Sequence, residues 1–438
     1  MRCWPVALLG MVAGAAQAQS AAPRDGLTIG GTTRLRYETI DGQPRAGFNA
    51  SDDLLNLRTT LAASYRNGPV RLVAELWDSR VYLADRGTPV TANEVNAVEL
   101  VQAFVEAKPS DRVTVQAGRF LLNLGSRRLL AADDYRNTTN GYTGLRVEVV
   151  PASGWQVTGI YTLPQVRRPD DLDALLDNGV RVDRESFALV LWGGVASRTL
   201  PGGMTAQLSY FHLGERDEPE RPTRDRSLNT AGLRLYRDPA AGRFDLDVEG
   251  FIQRGRAATG LSASSARAPV RAWFVHAETG HSFAGRWRPR IAIEYDHASG
   301  DEPGGRNGRF DTLFGMRRAE IAPAGLYNAV GRANLLSPGV RVEVAPDKRT
   351  DAFVGYKALG LAERRDAFST TGVRDGSGAS GRFAGHQLDA RIRHRPAGWL
   401  QLEADAVLLA KGPFLRDAPN APPGRWTRYL SLNATASF

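Results

Sequence analysis

The sequence predicts an all-β chain: a transmembrane antiparallel β-barrel of about 18 strands, with 16 the nearest alternative. Three observations carry this. Apolar and polar residues alternate through most of the chain, the period of strands with two unlike faces. Connections alternate between short and long, matching barrels with short periplasmic turns and long outer loops. The last alternating stretch runs to Phe438 without a tail.

The elements follow in order. The first strand starts near Thr28. Leu55, Leu57, Leu61, Ala63 and Tyr65 then alternate with Asn56, Arg58, Thr60 and Ser64. Asn67-Gly68 is a tight hairpin signal leading into Val70, Leu72, Ala74 and Leu76. Strands start near Val95 and Arg112. Leu145, Val147 and Val149 alternate with Arg146 and Glu148, and residues 151–154 turn the chain into Trp155, Val157 and Tyr161. Further starts fall near Phe187, Met204 and Leu228. Phe244, Leu246, Val248 and Ile252 oppose Asp245, Asp247, Glu249 and Gln253. The next start is near Trp273, and Ile291, Ile293 and Tyr295 then oppose Arg290, Glu294 and Asp296. After starts near Val340 and Asp351, Leu388, Ala390 and Ile392 oppose Asp389, Arg391 and Arg393. Leu400 to Leu408 oppose Gln401, Glu403 and Asp405, and Leu430 to Phe438 oppose Ser431, Asn433, Thr435 and Ser437. Long loops fall at 82–94, 120–141, 164–185, 300–327 and 361–384, the third holding a helical turn at Asp171–Gly179. Some 420 residues after an N-terminal leader give about 23 per strand and connection, and each strand is expected to need ~9–11 to cross a tilted wall.

Composition alone would suggest a soluble globular protein: 438 residues, 42% hydrophobic, 24% charged, with mean hydropathy −0.31. It excludes membrane-spanning helices, which need apolar runs of roughly 20 residues, but not a barrel whose two faces average out. A soluble sandwich would also alternate; the dense mixed charge on the polar faces and the loop pattern favour the barrel. Residues 1–18 read as a secretory signal peptide, with Arg2, an apolar stretch from Val6 to Ala16 and the small-x-small site Ala16-Gln17-Ala18. Residues 19–438 are then one barrel domain. Cys3, the only cysteine, leaves with the leader, so no disulfide or thiol chemistry is expected. The formal charge of +9 falls to +8 when Arg2 is removed. Aromatics near strand ends fit interfacial girdles: Tyr65, Trp77, Trp155, Tyr161, Trp192, Tyr210, Trp273, Tyr295, Tyr356, Trp399 and Tyr429.

Residues 117–145 read AGRFLLNLGSRRLLAADDYRNTTNGYTGL. This resembles the alginate export family of outer-membrane barrels, whose loop has the form "yG-x-x-R-l…DW-x-N…fDG". Gly118-Arg119, Gly125, Arg128-Leu129, Asp134-Tyr135, Asn137 and Tyr142-Thr143-Gly144 fill those places. Phe120, Tyr135 and Thr143 depart from the usual Gln, Trp and Asp. Residues 299–315 (SGDEPGGRNGRFDTLFG), 331–346 (GRANLLSPGVRVEVAP) and 385–415 resemble later family segments in the same order, with Gln387 where Glu is common. The resemblance covers most of 28–438 and implies an 18-stranded outer-membrane barrel with a polar, charged pore. The family's namesake role is passage of an anionic polysaccharide, though many relatives serve other solutes.

A channel needs charged groups at a constriction. Lumen-facing candidates include Arg58, Arg146, Arg391 and Arg393, but acids outnumber bases on the strand faces, so the positive excess belongs to loops and turns. Segment 119–136 is the leading loop candidate, with Arg119, Arg127, Arg128 and Arg136 beside Asp133 and Asp134. Arginine's planar fork suits carboxylates such as those of uronates. The same charges could equally brace the loop by ion pairs. His276 and Glu278 are expected to share a lumen face in a hydrogen-bond network. Asp301, Asn307 and Asp311 lack EF-hand spacing, and no nucleotide, zinc-protease or serine-hydrolase fingerprint occurs. The expected reading is a monomeric outer-membrane porin or exporter passing polar, anionic solutes or polysaccharide by diffusion. It would lie in outer-membrane lipid, without metal, cofactor or nucleic acid, and with a periplasmic partner left open. The alternatives are a barrel hydrolase, with His297, Ser299 and Asp301 as its imitation of a triad, and a structural or adhesin barrel plugged by its loops.

Overall fold

Alternating residues build a wall with two unlike faces. The computed structural model describes residues 25–438 apart from 134, 220, 263, 318 and 319. The leader assigned to 1–18 and the candidate Asp134 lie outside the described residues. Eighteen strands follow one another: β1 Gly26–Asp41, β2 Ser51–Asn67, β3 Val70–Tyr82, β4 Asn96–Ser110, β5 Val113–Leu121, β6 Gly141–Val149, β7 Trp155–Pro164, β8 Leu189–Thr199, β9 Thr205–Glu215, β10 Ser227–Arg237, β11 Arg243–Ala258, β12 Arg267–Ser282, β13 Arg290–Ala298, β14 Leu335–Val344, β15 Thr350–Gly360, β16 Phe383–Ala397, β17 Leu400–Lys411 and β18 Trp426–Ser437. Each pairs antiparallel with its neighbours in the chain. β1 also pairs with β18, from Thr32↔Ser437 to Asp41↔Arg428, so the sheet closes on itself.

Several strands exceed the expected length, β2 reaching 17 residues, so the wall extends beyond what a bilayer requires. The turn end carries short links, such as Asn67-Gly68-Pro69-Val70. The opposite end carries the long loops, including 122–140, 165–188, 299–334 and 361–382. The helical turn is α1, Leu172–Leu176, capped by Asp171, whose carboxylate accepts from the Ala174 amide at 2.9 Å. A second short helix, α2, spans Pro413–Asp417.

The outer face is apolar and exposed, as at Leu35, Leu61, Ile293 and Leu432, while Arg36, Glu38, Gln387 and Asp405 on the inner face are buried. Aromatic clusters ring both ends of the apolar band. Phe244, His281 and Phe283 group at the turn end, and Trp273, Tyr295 and His297 at the loop end. Two expected girdle members point the other way: Trp77 and Tyr429 are buried on the lumen side. Their neighbours Leu76 and Leu430 hold the exposed positions, and the period of two sends adjacent residues to opposite faces.

The core lies inside the barrel at its loop end. Loops 122–140 and 299–334 carry apolar runs that fold inward and bury Leu129, Leu130, Ile321, Leu326, Tyr327 and Val330. Phe310 stacks with Phe251 and Phe274 of the wall, and Phe314 meets Tyr142 edge-on at 5.6 Å. At the turn end the inner face stays partly open, as at Arg146 and Glu148.

Candidate functional site

The two inward loops are joined to each other before either is joined to the wall. Phe314 N donates to Leu129 O at 2.9 Å, Ala131 N to Phe314 O at 3.1 Å and Met316 N to Arg127 O at 3.1 Å, a short parallel ladder inside the lumen. These bonds satisfy backbone groups that would otherwise be buried without partners. Gly315 sits at this crossing, where a Cβ would overlap the Arg128 carbonyl oxygen.

Arg128 ties the ladder to one side of the wall. Its guanidinium meets Asp247 at 2.9 Å and Glu249 at 2.6 Å on β11, and Glu320 at 2.6 Å on the other loop. Arg332 also reaches Glu320, at 2.6 Å. Burial opposes charge at both sites, yet the three carboxylates hold Arg128 well above its ordinary pKa, and Arg128 with Arg332 hold Glu320 well below the carboxylate range. On the same flank His276 Nδ1 lies 2.8 Å from Asp296, while Glu278 bonds Arg290, so the shared lumen face is as expected.

The other end of the same loop is held from across the barrel. Arg34 donates to the carbonyls of Tyr135 at 3.2 Å and Arg136 at 2.7 Å, Arg58 donates to Arg136 O at 3.2 Å, and Arg36 donates to Tyr135 O. Arg36 also lies over the Tyr135 ring and Arg58 over Trp77, which explains why those aromatics face inward. Asn137, buried, donates to Leu57, Arg80 and Glu94 carbonyls. β2 and β11 lie nine places apart on the 18-membered ring, so loop 122–140 spans the lumen along a diameter.

Between these anchors lies a group of arginines on neutral acceptors. Arg136 pairs with Asp133 at 2.7 Å and also donates to the Asn93 and Asn140 amide oxygens, the second at 3.0 Å. Arg167, from loop 165–188, donates to the same two oxygens, each at 2.6 Å. Asn140 Nδ2 donates to Ala131 O and Phe314 O, which fixes the orientation of its amide. Burial, then the Arg136 charge, push Arg167 down to about 10, and the same two causes push Arg317 down to about 10. Positive charge therefore enters the lumen with the loops.

The remaining candidates are spread along the wall. Arg119 bridges Glu99 at 2.7 Å and Glu185 at 2.8 Å, tying β4–β5 to loop 165–188. Arg146 pairs with Glu148, Arg391 with Asp351 at 3.1 Å, and Arg393 with Glu403 at 3.0 Å, in the turn half of the lumen. Arg127 has left-handed backbone, φ 66°, at the bend before the ladder. The structure thus brings Asp133 and Arg136 together, places Arg128 on the far flank, and leaves Arg58 touching the loop backbone. Reading the sequence missed Asn140 at the end of the same loop, and Arg167, Arg317 and Asn93, which lie on other loops; the apolar run 321–330 was a signal that one of those loops packs inside. The triad imitation does not assemble: His297 meets Tyr295 on the outer face, Ser299 accepts from the Trp273 amide, and Asp301 accepts from Gly308.

The sequence profile described as alginate export matches residues 25–426. No curated protein matches the sequence. Among solved structures the chain is similar to OccK8 (OprE) of Pseudomonas aeruginosa, with 12% identity and TM-score 0.61 over 94% of this chain and 98% of that one. It is similar to OccAB1 of Acinetobacter baumannii, with 12% identity and TM-score 0.59 over 97% and 99%. It is also similar to OpdK of Pseudomonas aeruginosa, in a structure with vanillate, with 11% identity and TM-score 0.58 over 94% and 98%. At these identities the likeness is one of fold.

Proposed function

The chain belongs to the alginate export family of outer-membrane β-barrels, and from that premise we propose that it is a porin passing polar, anionic solutes by diffusion down their gradient. The observation that carries the reading is the Arg136–Arg167 pair. Two guanidiniums share the Asn93 and Asn140 oxygens rather than a carboxylate each, so Asp133 is the one acid bonded to either of them among the described residues. Like charges held on neutral acceptors leave a local positive potential, which in a low-dielectric lumen favours an entering anion. Arg34, Arg36 and Arg58 direct their guanidiniums at backbone carbonyls of the same loop, and Arg36 also has Glu38 beside it at 3.8 Å. Arg128 has the opposite character. Enclosed by three carboxylates, it holds the loop.

The turn half supports diffusion rather than tight binding. Its wall offers ion pairs of both signs, within a strand at Arg146–Glu148 and across strands at Arg391–Asp351 and Arg393–Glu403, which can exchange with water contacts of a polar solute. The test is planar-bilayer recording of the reconstituted protein, with simple anions, uronates and vanillate as blockers. The reading expects ion conductance with anion preference, reduced by carboxylate blockers. The loop packing at the outer end favours a second reading, a barrel plugged by its loops; absence of any conductance would select it.

A further inference from the structure

We propose that the membrane-facing side of β11–β12, at its loop end, binds the phosphate headgroup of a lipid in the outer leaflet. Along β11 the outward residues run Phe244, Leu246, Val248, Gly250 and Ile252, and then change to Arg254 and Arg256. Along β12 they run His281, Thr279, Ala277, Val275 and Trp273, and then change to Arg271, Pro269 and Arg267. The switch occurs at the same height on both strands, because Ile252 pairs with Trp273 and Arg254 with Arg271.

That second pair breaks a rule of sheet construction. Like charges directly opposite each other are destabilising, yet Arg254 faces Arg271 with both side chains exposed. The side chain of Arg254 reaches, among the described residues, only the Gln253 carbonyl, at 3.2 Å. Among the described residues no acidic group pairs with Arg254, Arg256 or Arg271; Arg267 is paired with Asp225 at 3.2 Å. On one side the residues paired with Arg254 and Arg256 are Asn229 and Ser227 of β10; on the other, the Arg271 amide donates to the Asn307 carbonyl of loop 299–334 at 3.0 Å, and none of these three is acidic. Three arginines without carboxylate partners on a lipid-facing wall are explained by an anion that comes from outside the chain.

Their height identifies the anion. From Phe244, in the turn-end girdle, to Arg254 is ten residues, or ~26 Å along the barrel normal for a strand rise of ~3.4 Å and a tilt of ~40°. The apolar band of outer-membrane barrels is ~25 Å tall, so Arg254 and Arg271 stand at headgroup level directly above the Trp273 girdle. An acyl chain below would lie on Ile252, Val275 and Trp273, which are exposed and apolar. Basic clusters beside a membrane-facing apolar surface recognise phosphorylated lipids, and arginine forks match phosphate oxygens. This surface lies outside the lumen and is independent of what the pore passes.

The experiment is native mass spectrometry of the full barrel in neutral detergent. It is titrated with a diphosphorylated diglucosamine lipid and with the same lipid stripped of phosphate. The wild type is expected to prefer the phosphorylated lipid by about tenfold or more, since each arginine near an anionic headgroup contributes roughly fivefold. R254Q/R271Q abolishes the preference, R254K/R271K keeps most of it, and R256Q alone lowers it in a barrel that retains the central pair. Equal binding of the two lipids by wild type, or a preference that survives R254Q/R271Q, overturns the proposal.

Discussion

Replacing Arg128 with Met tests whether the lumen is narrowed by a docked loop. The side chain is 2% exposed and meets Asp247, Glu249 and Glu320. After substitution Asp247 keeps Arg234 at 2.7 Å and Glu320 keeps Arg332 at 2.6 Å. Glu249, 4% exposed on its side chain, has no second ion pair among the described residues. Removing one partner of a buried pair costs about 3–5 kcal/mol, because the other charge is left uncompensated. At about 1.4 kcal/mol per tenfold, the ratio of docked to undocked loop falls by roughly two to three and a half powers of ten. R128M should therefore show larger and noisier single-channel steps, and faster protease cleavage within 122–140, in a barrel whose wall still folds. R128M/E249Q should return much of the wild-type behaviour, since it neutralises the carboxylate left without its partner while Asp247 keeps Arg234 and Glu320 keeps Arg332. An R128M channel with wild-type step size and wild-type protease resistance would refute the docking argument.

Other consequences can be checked alongside. R136Q/R167Q should move the reversal potential under a salt gradient towards zero while the wall stays folded; an unmoved potential excludes that pair from selectivity. G315A, which puts a Cβ against the Arg128 carbonyl oxygen, should raise conductance without changing the heat-shifted gel mobility that reports barrel folding. Asp183, which accepts from Asn96 at 2.8 Å and the Arg168 amide at 2.9 Å, is pushed up to about 7 by burial and by the Glu99 charge. Its folded pKa lies above its unfolded one, so its contribution to docking loop 165–188 is complete below about pH 4 and is lost as pH rises to and through about 7. Conductance should rise over that window, and D183N should flatten the profile.

The wall was legible because each strand carries the period itself. Leu55 to Tyr65 and Leu400 to Leu408 read as strands without any neighbour in view, and they form β2 and β17. β12 was legible only from Trp273, six residues after its start at Arg267. Its first outward residues are Arg267, Pro269 and Arg271, which lie above the apolar band and so lack the alternation that marks the rest. Trp77 and Tyr429 were misassigned because enrichment of aromatics near strand ends does not say which face they take; the adjacent leucines did. The filling of the lumen was the least legible part. Arg136 and Arg167 are 31 residues apart and meet only through Asn93 and Asn140 on two loops. A pairing made by closure of the whole ring leaves no local pattern. The balance of strand charges nonetheless pointed the positive excess towards loops, and several of those arginines do lie inside.

The loop held between β2 and β11 has a mechanical meaning. A hoop of hydrogen-bonded strands can flatten into an ellipse at little local expense, since each junction needs to bend by only a small angle. A strut pinned at opposite points, by Arg34 and Arg58 on one side and by the Asp247–Glu249 pair on the other, removes the softest of those distortions. The bore is then set by the protein's own cross-member and stays the same when lateral pressure in the surrounding bilayer changes.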